Sequence, residues 1–194
     1  MKTVIGLTGG IACGKSVVSA YLKEKGYLII DADLVARECV APGSLGIKAV
    51  AQAFGQEYVK DGILDRAKLA ELIFSDEQAR EKLNRITWPL ITEKVLQMIQ
   101  ENEGLIFLDA ALLFESNMDK LCDQIWLVKA DETIQRKRLM ERNCLTAEEA
   151  QNRIAAQGNW NEKEALVQQV FDNNGTKNEL YEKIEKALVQ IQEI

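Results

Sequence analysis

One eight-residue segment near the N-terminus constrains the fold more than any other part of the chain. Residues 9–16 read GGIACGKS and match the pattern G-x-x-x-x-G-K-[S/T] in full. An apolar segment, residues 3–7, precedes them, and a helical pattern follows. Strand, glycine-rich loop and helix in this order are typical of a phosphate-binding loop (P-loop), whose backbone N–H groups face phosphate oxygens. A glycine-rich turn with a chance lysine is the less favoured alternative, because both flanking elements are the expected ones.

Each position of this loop has an expected role in binding ATP. Lys15 is predicted to reach the β- and γ-phosphates, and the Ser16 hydroxyl is predicted to hold Mg²⁺. The residues predicted to contact ATP are Gly10, Ile11, Ala12, Cys13, Gly14, Lys15, Ser16 and Val17. A helix N-terminus lowers the pKa of a nearby thiol, so Cys13 could be redox-sensitive. A small residue filling the loop is the favoured interpretation, because no resolving cysteine is near in the sequence.

Apolar segments along the chain indicate an α/β fold. Five are predicted as strands, at residues 3–7, 27–30, 105–108, 124–128 and 167–171. Their continuous apolar character, with helical patterns between them, favours a five-stranded parallel sheet flanked by helices. Two T-x-x-E capping boxes, Thr146 with Glu149 and Thr176 with Glu179, mark helix starts. A closing helix is predicted to bury one stripe, formed by Leu180, Ile184, Leu188 and Ile191.

The segment between the second and third predicted strands is far longer than one crossover helix requires. We therefore expect an inserted helical lobe there. Its helices are predicted to begin after Asp65, after Ser75 or Asp76, and after Thr87, where Trp88-Pro89 follows.

Composition excludes several classes of chemistry. The 194 residues include no histidine, so His-based triads, His/Cys zinc sites and imidazole bases are excluded. A formal net charge of −6 disfavours nonspecific binding to nucleic acid or to an anionic membrane. The four cysteines form no C-x-x-C pair, which predicts reduced thiols in a cytoplasmic protein. A signal peptide is not expected, because only Val4, Ile5 and Leu7 precede the glycine pair, short of the roughly 7 to 15 apolar residues that it needs. A membrane span is not expected either, since no stretch approaches about 20 apolar residues.

Three carboxylates follow predicted strands, where parallel sheets bind ligands. Asp33 is predicted to accept the proton of an attacking hydroxyl, as a catalytic base. Asp31 is either a ligand in the Mg²⁺ shell or a helix cap, and the sequence leaves both open. Asp109 closes an apolar strand in the manner of a Walker-B aspartate and could hold Mg²⁺ through water.

A cluster of cations, Arg136, Lys137, Arg138 and Arg142, interrupts an otherwise acidic chain. A solvated helix face is the usual explanation of such a run. Arg138 and Arg142 are four residues apart and share a helix face, which favours a lid that closes over ATP phosphates. Arg142 is then predicted to stabilise the transferring phosphoryl group.

Two further motifs are near those of GTPases. Val128-Lys129-Ala130-Asp131 is near N/T-K-x-D, and Asp172-Asn173-Asn174-Gly175 fits D-x-x-G. The D-x-x-G motif of a GTPase precedes N/T-K-x-D, whereas here it follows. The order therefore disfavours a GTPase.

Many separated motifs together resemble the dephospho-CoA kinase family over essentially the whole chain. They are Gly6 to Ile11 running into the loop, Asp31-Ala32-Asp33 with Ala36-Arg37, Phe54-Gly55, Asp61-Gly62, Leu64-Asp65-Arg66, Leu83-Asn84, Leu112 to Glu115, Arg138, Arg142, Arg153 to Gln157, and Asp172 to Gly175. The resemblance implies transfer of the ATP γ-phosphoryl group to the ribose 3′-hydroxyl of dephospho-CoA, the final step of coenzyme A synthesis. It implies ATP and dephospho-CoA as small-molecule substrates and Mg²⁺ as cofactor, with no nucleic acid, membrane or obligate protein partner.

The same resemblance implies a layout and a set of site residues. The chain, 1–194, is expected to be a single P-loop kinase domain with its core at about 1–33, 104–135 and 165–194. A helical CoA-binding lobe is expected at about 34–103 and a lid at about 136–164. By this likeness Asp33 is the base, Arg37 lies near the acceptor, Arg138 and Arg142 belong to the lid, and Asn174-Gly175 lies near the adenine.

The chain departs from the family's pattern at three places. Ala12-Cys13 stands where the family usually has Gly-Ser, Trp88 where it has His, and Ala111 where it has Pro. Ala12 is expected to fit the loop with a negative φ. Two alternatives are another small P-loop kinase, acting on a nucleoside, nucleotide or sugar acid, and a nucleotide-dependent regulatory switch.

Overall fold

A computed structural model describes residues 2–157 and 160–192 of the chain, apart from the side chains of Asn161 and Gln192. The strands are β1 (Lys2–Gly9), β2 (Leu28–Asp31), β3 (Val59–Lys60), β4 (Ile63–Leu64), β5 (Gly104–Asp109), β6 (Gln124–Lys129) and β7 (Gln169–Asp172). The helices are α1 (Lys15–Glu24), α2 (Ala32–Cys39), α3 (Leu45–Phe54), α4 (Arg66–Ser75), α5 (Glu77–Gln100), α6 (Glu132–Asn143), α7 (Ala147–Ala155), α8 (Trp160–Glu164) and α9 (Lys177–Gln192). Short 3-10 helices span Gln56–Tyr58 and Met118–Leu121.

The chain divides into two compact units, Met1–Ile29 with Glu103–Ile194, and Ile30–Asn102. The main sheet has the strand order β2-β5-β1-β6-β7. β1 pairs in parallel with β5 and β6, and β6 pairs in parallel with β7. The five predicted strands and the parallel α/β fold are confirmed.

Strand register brings the P-loop beside a carboxylate. Leu7 of β1 lies opposite Asp109 of β5, and Gly9 lies opposite Val128 of β6. A Cβ atom at Gly9 would lie 2.5 Å from the Val128 carbonyl oxygen. Only glycine fits this close approach, so the start of the loop is held against β6.

The core of the first unit combines the sheet with α1 and α9. Four rings, those of Tyr27, Phe107, Trp126 and Phe171, follow one another with centroid distances of 5.6, 5.3 and 5.1 Å. On α9, Leu180, Ile184 and Leu188 are buried against this core, and Ile191 is partly buried. The predicted apolar stripe is confirmed. The core fixes α1, and with it the end of the P-loop.

The second unit is built on α2, α3, α4 and α5, around the buried side chains of Val40, Val50 and Leu69. It also contains a small antiparallel hairpin of β3 and β4, which was not predicted. Its turn residues, Asp61 and Gly62, have φ values of 51° and 75°. Asp-Gly with two positive φ angles is the preferred two-residue hairpin turn, so the sequence did carry a signal for it.

The predicted helix start at Thr87 is wrong. α5 is continuous, with Pro89 inside it, and the Thr87 hydroxyl donates a hydrogen bond to the Leu83 carbonyl at 3.0 Å. An internal proline costs about 3 kcal/mol, because a backbone hydrogen bond is lost and the ring crowds the preceding turn. Beyond Pro89, Ile91 and Val95 are buried at helical spacing. Their burial, at about 1.5–3 kcal/mol for each side chain, offsets this cost.

The other predicted helix starts are confirmed. Asp65 accepts a hydrogen bond from the Lys68 N–H, and Asp76 accepts from Gln78 and Ala79. Both T-x-x-E capping boxes form, at Thr146 and at Thr176. Within the described part of the chain, no helix is long and apolar enough to cross a membrane.

Candidate active site

The P-loop leaves β1 at Gly9 and enters α1 at Lys15. Inside it, the Cys13 N–H donates to the Gly10 carbonyl at 3.2 Å, and the Val17 N–H donates to the Gly14 carbonyl at 2.9 Å. Gly14 has a φ of 99°, a conformation that side-chain-bearing residues rarely adopt. A Cβ atom there would also lie 2.1 Å from the Asn173 amide nitrogen. Glycine is therefore required at position 14 for two reasons: the positive φ angle, and the space that the Asn173 side chain occupies.

Ala12 does not have the negative φ expected from the sequence. Its φ is 57°, in the left-handed region. This conformation costs a residue with a Cβ atom about 1–2 kcal/mol, because the Cβ atom crowds the following carbonyl oxygen. The P-loop therefore contains a strained non-glycine residue, held in place by the contacts around it.

Lys15 and Asp109 form an ion pair at the edge of the sheet. Asp109 is buried and uses both carboxylate oxygens, one toward the Lys15 ammonium group and the other toward the Ser19 hydroxyl, which donates to it. The Ser19 hydroxyl also lies 3.1 Å from the Lys15 carbonyl oxygen. Sequence reasoning missed Ser19, although a residue four positions after Lys15 lies on the same face of α1. Lys15 and Asp109, which were assigned separate roles, are in direct contact.

Arg138 and Asn173 hold the P-loop from its carbonyl side. The Arg138 guanidinium donates to the carbonyls of Ala12, Cys13 and Asn173, at 3.4, 3.5 and 2.9 Å. The buried Asn173 side chain donates to the Cys13 carbonyl at 2.7 Å. With these carbonyls paired, the loop is held in one conformation. Asn173 was not singled out from the sequence, although it stands inside the Asp172 to Gly175 motif.

Cys13 faces the core of the first unit and is almost fully buried. Burial raises the pKa of its thiol, against the lowering expected from a helix N-terminus. A buried, protonated thiol is a poor nucleophile. The structure therefore supports the filling role and argues against a redox-sensitive one. All four cysteines are free thiols.

The predicted lid residues lie on α6 to α8 of the first unit. Arg142 is exposed, and its guanidinium donates to the Asn143 side-chain oxygen at 3.0 Å. Farther along, the Gln157 side-chain oxygen accepts a hydrogen bond from the Ile11 N–H of the P-loop. This contact joins the segment after α7 directly to the loop. Gln157 is a site residue that the sequence placed only within a longer motif.

Asn174 and Gly175 form the turn after β7. The Asn174 side-chain oxygen accepts from the Asp131 N–H at 2.7 Å, and its amide group donates to the Asp172 carboxylate at 3.0 Å. A Cβ atom on Gly175 would lie 1.9 Å from a carboxylate oxygen of Glu179. The turn therefore connects β7, the start of α6 and the start of α9.

The other predicted site residues, Asp31, Asp33 and Arg37, belong to the second unit. Asp31 caps α2, because its carboxylate accepts from the Leu34 N–H at 3.0 Å. Asp33 and Arg37 are exposed and one helical turn apart on the same helix. The capping role left open for Asp31 is therefore observed.

Beside α2 the second unit contains an apolar cavity of about 230 Å³. Arg37 and Arg66 contribute to its lining, and the Arg66 guanidinium donates to the Arg37 carbonyl at 3.2 Å. The other lining residues are Ala36, Val40, Leu64, Leu69, Ala70, Ile73, Leu83, Thr87 and Ile91. The cavity thus combines an apolar wall with two arginines in its lining.

A parallel sheet in the order β2-β5-β1-β6-β7, with a P-loop after β1 and a strand-end aspartate on the P-loop lysine, defines a P-loop nucleotide-binding protein. A sequence model of the dephospho-CoA kinase family matches residues 3–179. The chain therefore belongs to the dephospho-CoA kinase family and is a kinase. Its family catalyses the ATP-dependent phosphorylation of dephospho-CoA, the final step of coenzyme A biosynthesis.

Individual relatives agree with this assignment. The chain is 44% identical to a dephospho-CoA kinase from Enterococcus faecalis, over 97% of this chain and 96% of the relative. A solved structure, TT1252 from Thermus thermophilus, matches with a TM-score of 0.82 and 31% identity, covering 97% of each chain. Dephospho-CoA kinase from Campylobacter jejuni matches with a TM-score of 0.73 and 26% identity, covering 98% of each chain.

Proposed function

We propose that this chain transfers the γ-phosphoryl group of ATP to the ribose 3′-hydroxyl of dephospho-CoA. The observation that carries the proposal is the P-loop with Lys15 held on the buried Asp109, in a chain that matches the family over residues 3–179. Phosphoryl transfer depends mainly on positioning and on charge stabilisation, so it does not require the histidine that this chain lacks.

ATP binding is assigned to the first unit. Residues 10–17 are proposed to surround the phosphates, with backbone N–H groups of the loop and the N-terminus of α1 facing them. Lys15 carries the positive charge to the β- and γ-phosphates, and Asp109 and Ser19 hold the lysine in place until ATP arrives. Arg138 keeps the loop in shape, and Arg142, exposed one turn farther along α6, is available to the transferring group.

Magnesium is the proposed cofactor, and the side chains near the loop fit it. No cluster of three or more Cys, Asp or Glu residues in the described part of the chain forms a complete metal cage. Mg²⁺ is commonly held by one or two protein oxygens together with substrate phosphates and water. The exposed Ser16 hydroxyl and the Asp109 carboxylate are the donors we assign to it. When bound, the ion neutralises charge on the phosphate oxygens.

The acceptor is assigned to the second unit. Asp33, exposed at the start of α2, is the proposed base that accepts the proton of the 3′-hydroxyl. Arg37 is proposed to bind a phosphate group of dephospho-CoA, because guanidinium groups suit phosphate geometry. The apolar cavity lined in part by Arg37 offers room for uncharged atoms of the same substrate. ATP and dephospho-CoA are the only partners proposed, and the free thiols support a cytoplasmic location.

An acceptor panel tests this function. Purified protein with ATP and Mg²⁺ is expected to convert dephospho-CoA to coenzyme A, with little or no transfer to adenosine, AMP or a sugar acid. Transfer to one of those acceptors in preference to dephospho-CoA would favour the other small P-loop kinase. Tight nucleotide binding without transfer to any acceptor would favour the regulatory switch.

A further inference from the structure

Trp160, the first residue of α8, places an indole N–H group beside the P-loop. The nitrogen is buried and has no hydrogen-bond partner within the described part of the chain. It lies 3.2 Å from the position that a Cβ atom would take on Gly10. A buried donor without an acceptor costs about 1–3 kcal/mol, and such groups in native proteins call for an explanation.

The indole ring is held in place by charged groups. The Lys163 ammonium group lies 4.5 Å from the centre of the Trp160 ring, and it also pairs with the Glu115 carboxylate. At the end of α8, Glu164 pairs with Lys129 at 2.8 Å. Two ion pairs thus anchor a helix of five residues. The orientation of the indole is supported from outside the P-loop.

A second N–H donor, that of Ile11, lies in the same region beside Gly10. The Ile11 N–H is one of the loop groups expected to face phosphate, and its hydrogen bond goes to the Gln157 side-chain oxygen. That oxygen lies 3.5 Å from the same Cβ position on Gly10. The Ile11 N–H and the Trp160 indole N–H therefore border one small region beside Gly10. There the Gln157 oxygen accepts a hydrogen bond from the Ile11 N–H and not from the indole. Two converging donors are suited to an anionic oxygen.

We propose that Trp160 is a phosphate-contacting residue of this kinase. When ATP binds, a phosphate oxygen takes the Ile11 N–H from Gln157, and the Trp160 indole N–H donates a hydrogen bond to the same phosphate group. The inference rests on the proposed use of ATP and is independent of the acceptor.

The test combines nucleotide affinity with the NMR signals of the indole groups. The chain has three tryptophans, Trp88, Trp126 and Trp160, so each indole N–H resonance can be assigned by substitution. Trp160→Phe keeps an aromatic ring for Lys163 and removes the indole N–H donor, with a smaller ring in its place. By calorimetry without any acceptor, it is expected to weaken ATP binding about 10-fold to 100-fold, as for a hydrogen bond to a charged group. Trp88→Phe, in the other unit, is the matched control and is expected to bind ATP like the wild type.

In the wild-type protein, saturation with ATP is expected to move the Trp160 indole proton downfield and to leave that of Trp126 in place. Wild-type ATP affinity in Trp160→Phe, or an unmoved Trp160 resonance at saturation, would overturn the inference and leave the proposed kinase function standing. Loss of dephospho-CoA phosphorylation alone, with the ATP effects intact, would instead overturn only the acceptor assignment.

Discussion

The two units of the chain hold their functional side chains in different ways. In the unit with the P-loop, Asp109 and Asn173 are buried, and each is bonded to the loop or to its lysine. In the unit Ile30–Asn102, Asp33 and Arg37 are exposed on one face of α2. The residues proposed for ATP are therefore bonded within the core of their own unit, whereas those proposed for the acceptor are exposed on a helix surface. Substitutions of these residues in the first unit should therefore lower both activity and the free energy of unfolding, whereas those in the second unit should lower activity alone.

Asp33→Asn is expected to have the largest effect of the five substitutions considered. Loss of a general base should lower turnover about 10²-fold to 10⁴-fold. Because Asp33 is exposed, stability and ATP affinity should stay near the wild-type values. Steady-state kinetics and calorimetry measure the two quantities. Unchanged turnover would remove Asp33 from the mechanism. Weakened ATP binding would contradict the assignment of ATP to the first unit and of the acceptor to the second.

Lys15→Ala is expected to lower kcat/KM for ATP about 10²-fold to 10³-fold, the effect of removing one preorganised charge donor. The free energy of unfolding should also fall, because the buried Asp109 loses its cationic partner and keeps the hydrogen bond from Ser19. Arg80→Ala is the control, since its ion pair with Glu77 is exposed and contributes at most about 1 kcal/mol. Equal activity in the two variants would contradict the role of Lys15.

Arg37→Ala should raise the KM for dephospho-CoA about 10-fold to 100-fold, as expected for a hydrogen bond to a charged group. The KM for ATP should not change, because Arg37 is assigned to the acceptor. Initial rates with each substrate varied in turn distinguish the two. A rise in the KM for ATP alone would show that Arg37 contributes to ATP binding and not to acceptor binding.

Asn173→Ala removes the buried amide that donates to the Cys13 carbonyl. It is expected to cost about 1–2 kcal/mol in unfolding free energy and to raise the KM for ATP several-fold. Asn102→Ala is a matched control, because that side chain donates to the Met98 carbonyl at 2.8 Å in the other unit. Denaturant unfolding and kinetics should show lost stability in both variants but a raised KM only in Asn173→Ala.

The smallest effect is expected at Ala12, whose φ is 57°. Ala12→Gly relieves the left-handed strain but adds conformational freedom to the unfolded chain. The free energy of unfolding should therefore rise by about 0–1 kcal/mol. The same change at the exposed Ala20, inside α1, should cost about 1 kcal/mol. Unfolding midpoints in urea measure both. A loss at position 12 equal to that at position 20 would contradict the strain.

Local chemistry explains what the sequence predicted well. Asp65, Asp76, Thr146 and Thr176 cap helices through bonds to residues two or three positions away, and such bonds depend on little else. The strands were recognisable because buried parallel strands are continuously apolar. The loop between β1 and α1 also follows from local spacing.

Long-range packing explains what the sequence did not predict. Pro89 inside α5 looked like a helix start because its neighbours in the sequence, and not its packing, were considered. The positive φ of Ala12 depends on a loop held by Asn173 and Arg138, more than 120 residues away along the chain. The Lys15–Asp109 pair arises from strand register. Contacts of this kind leave no spacing pattern for sequence reasoning to detect.

The position of the transferred phosphate is the decisive measurement for the proposed reaction. Purified protein is incubated with ATP, Mg²⁺ and dephospho-CoA, and the product is analysed by mass spectrometry and ³¹P NMR. We expect one added phosphate, on the ribose 3′-hydroxyl, with ADP formed in equal amount. A phosphate on another hydroxyl, or ADP release without a phosphorylated product, would contradict the proposed reaction.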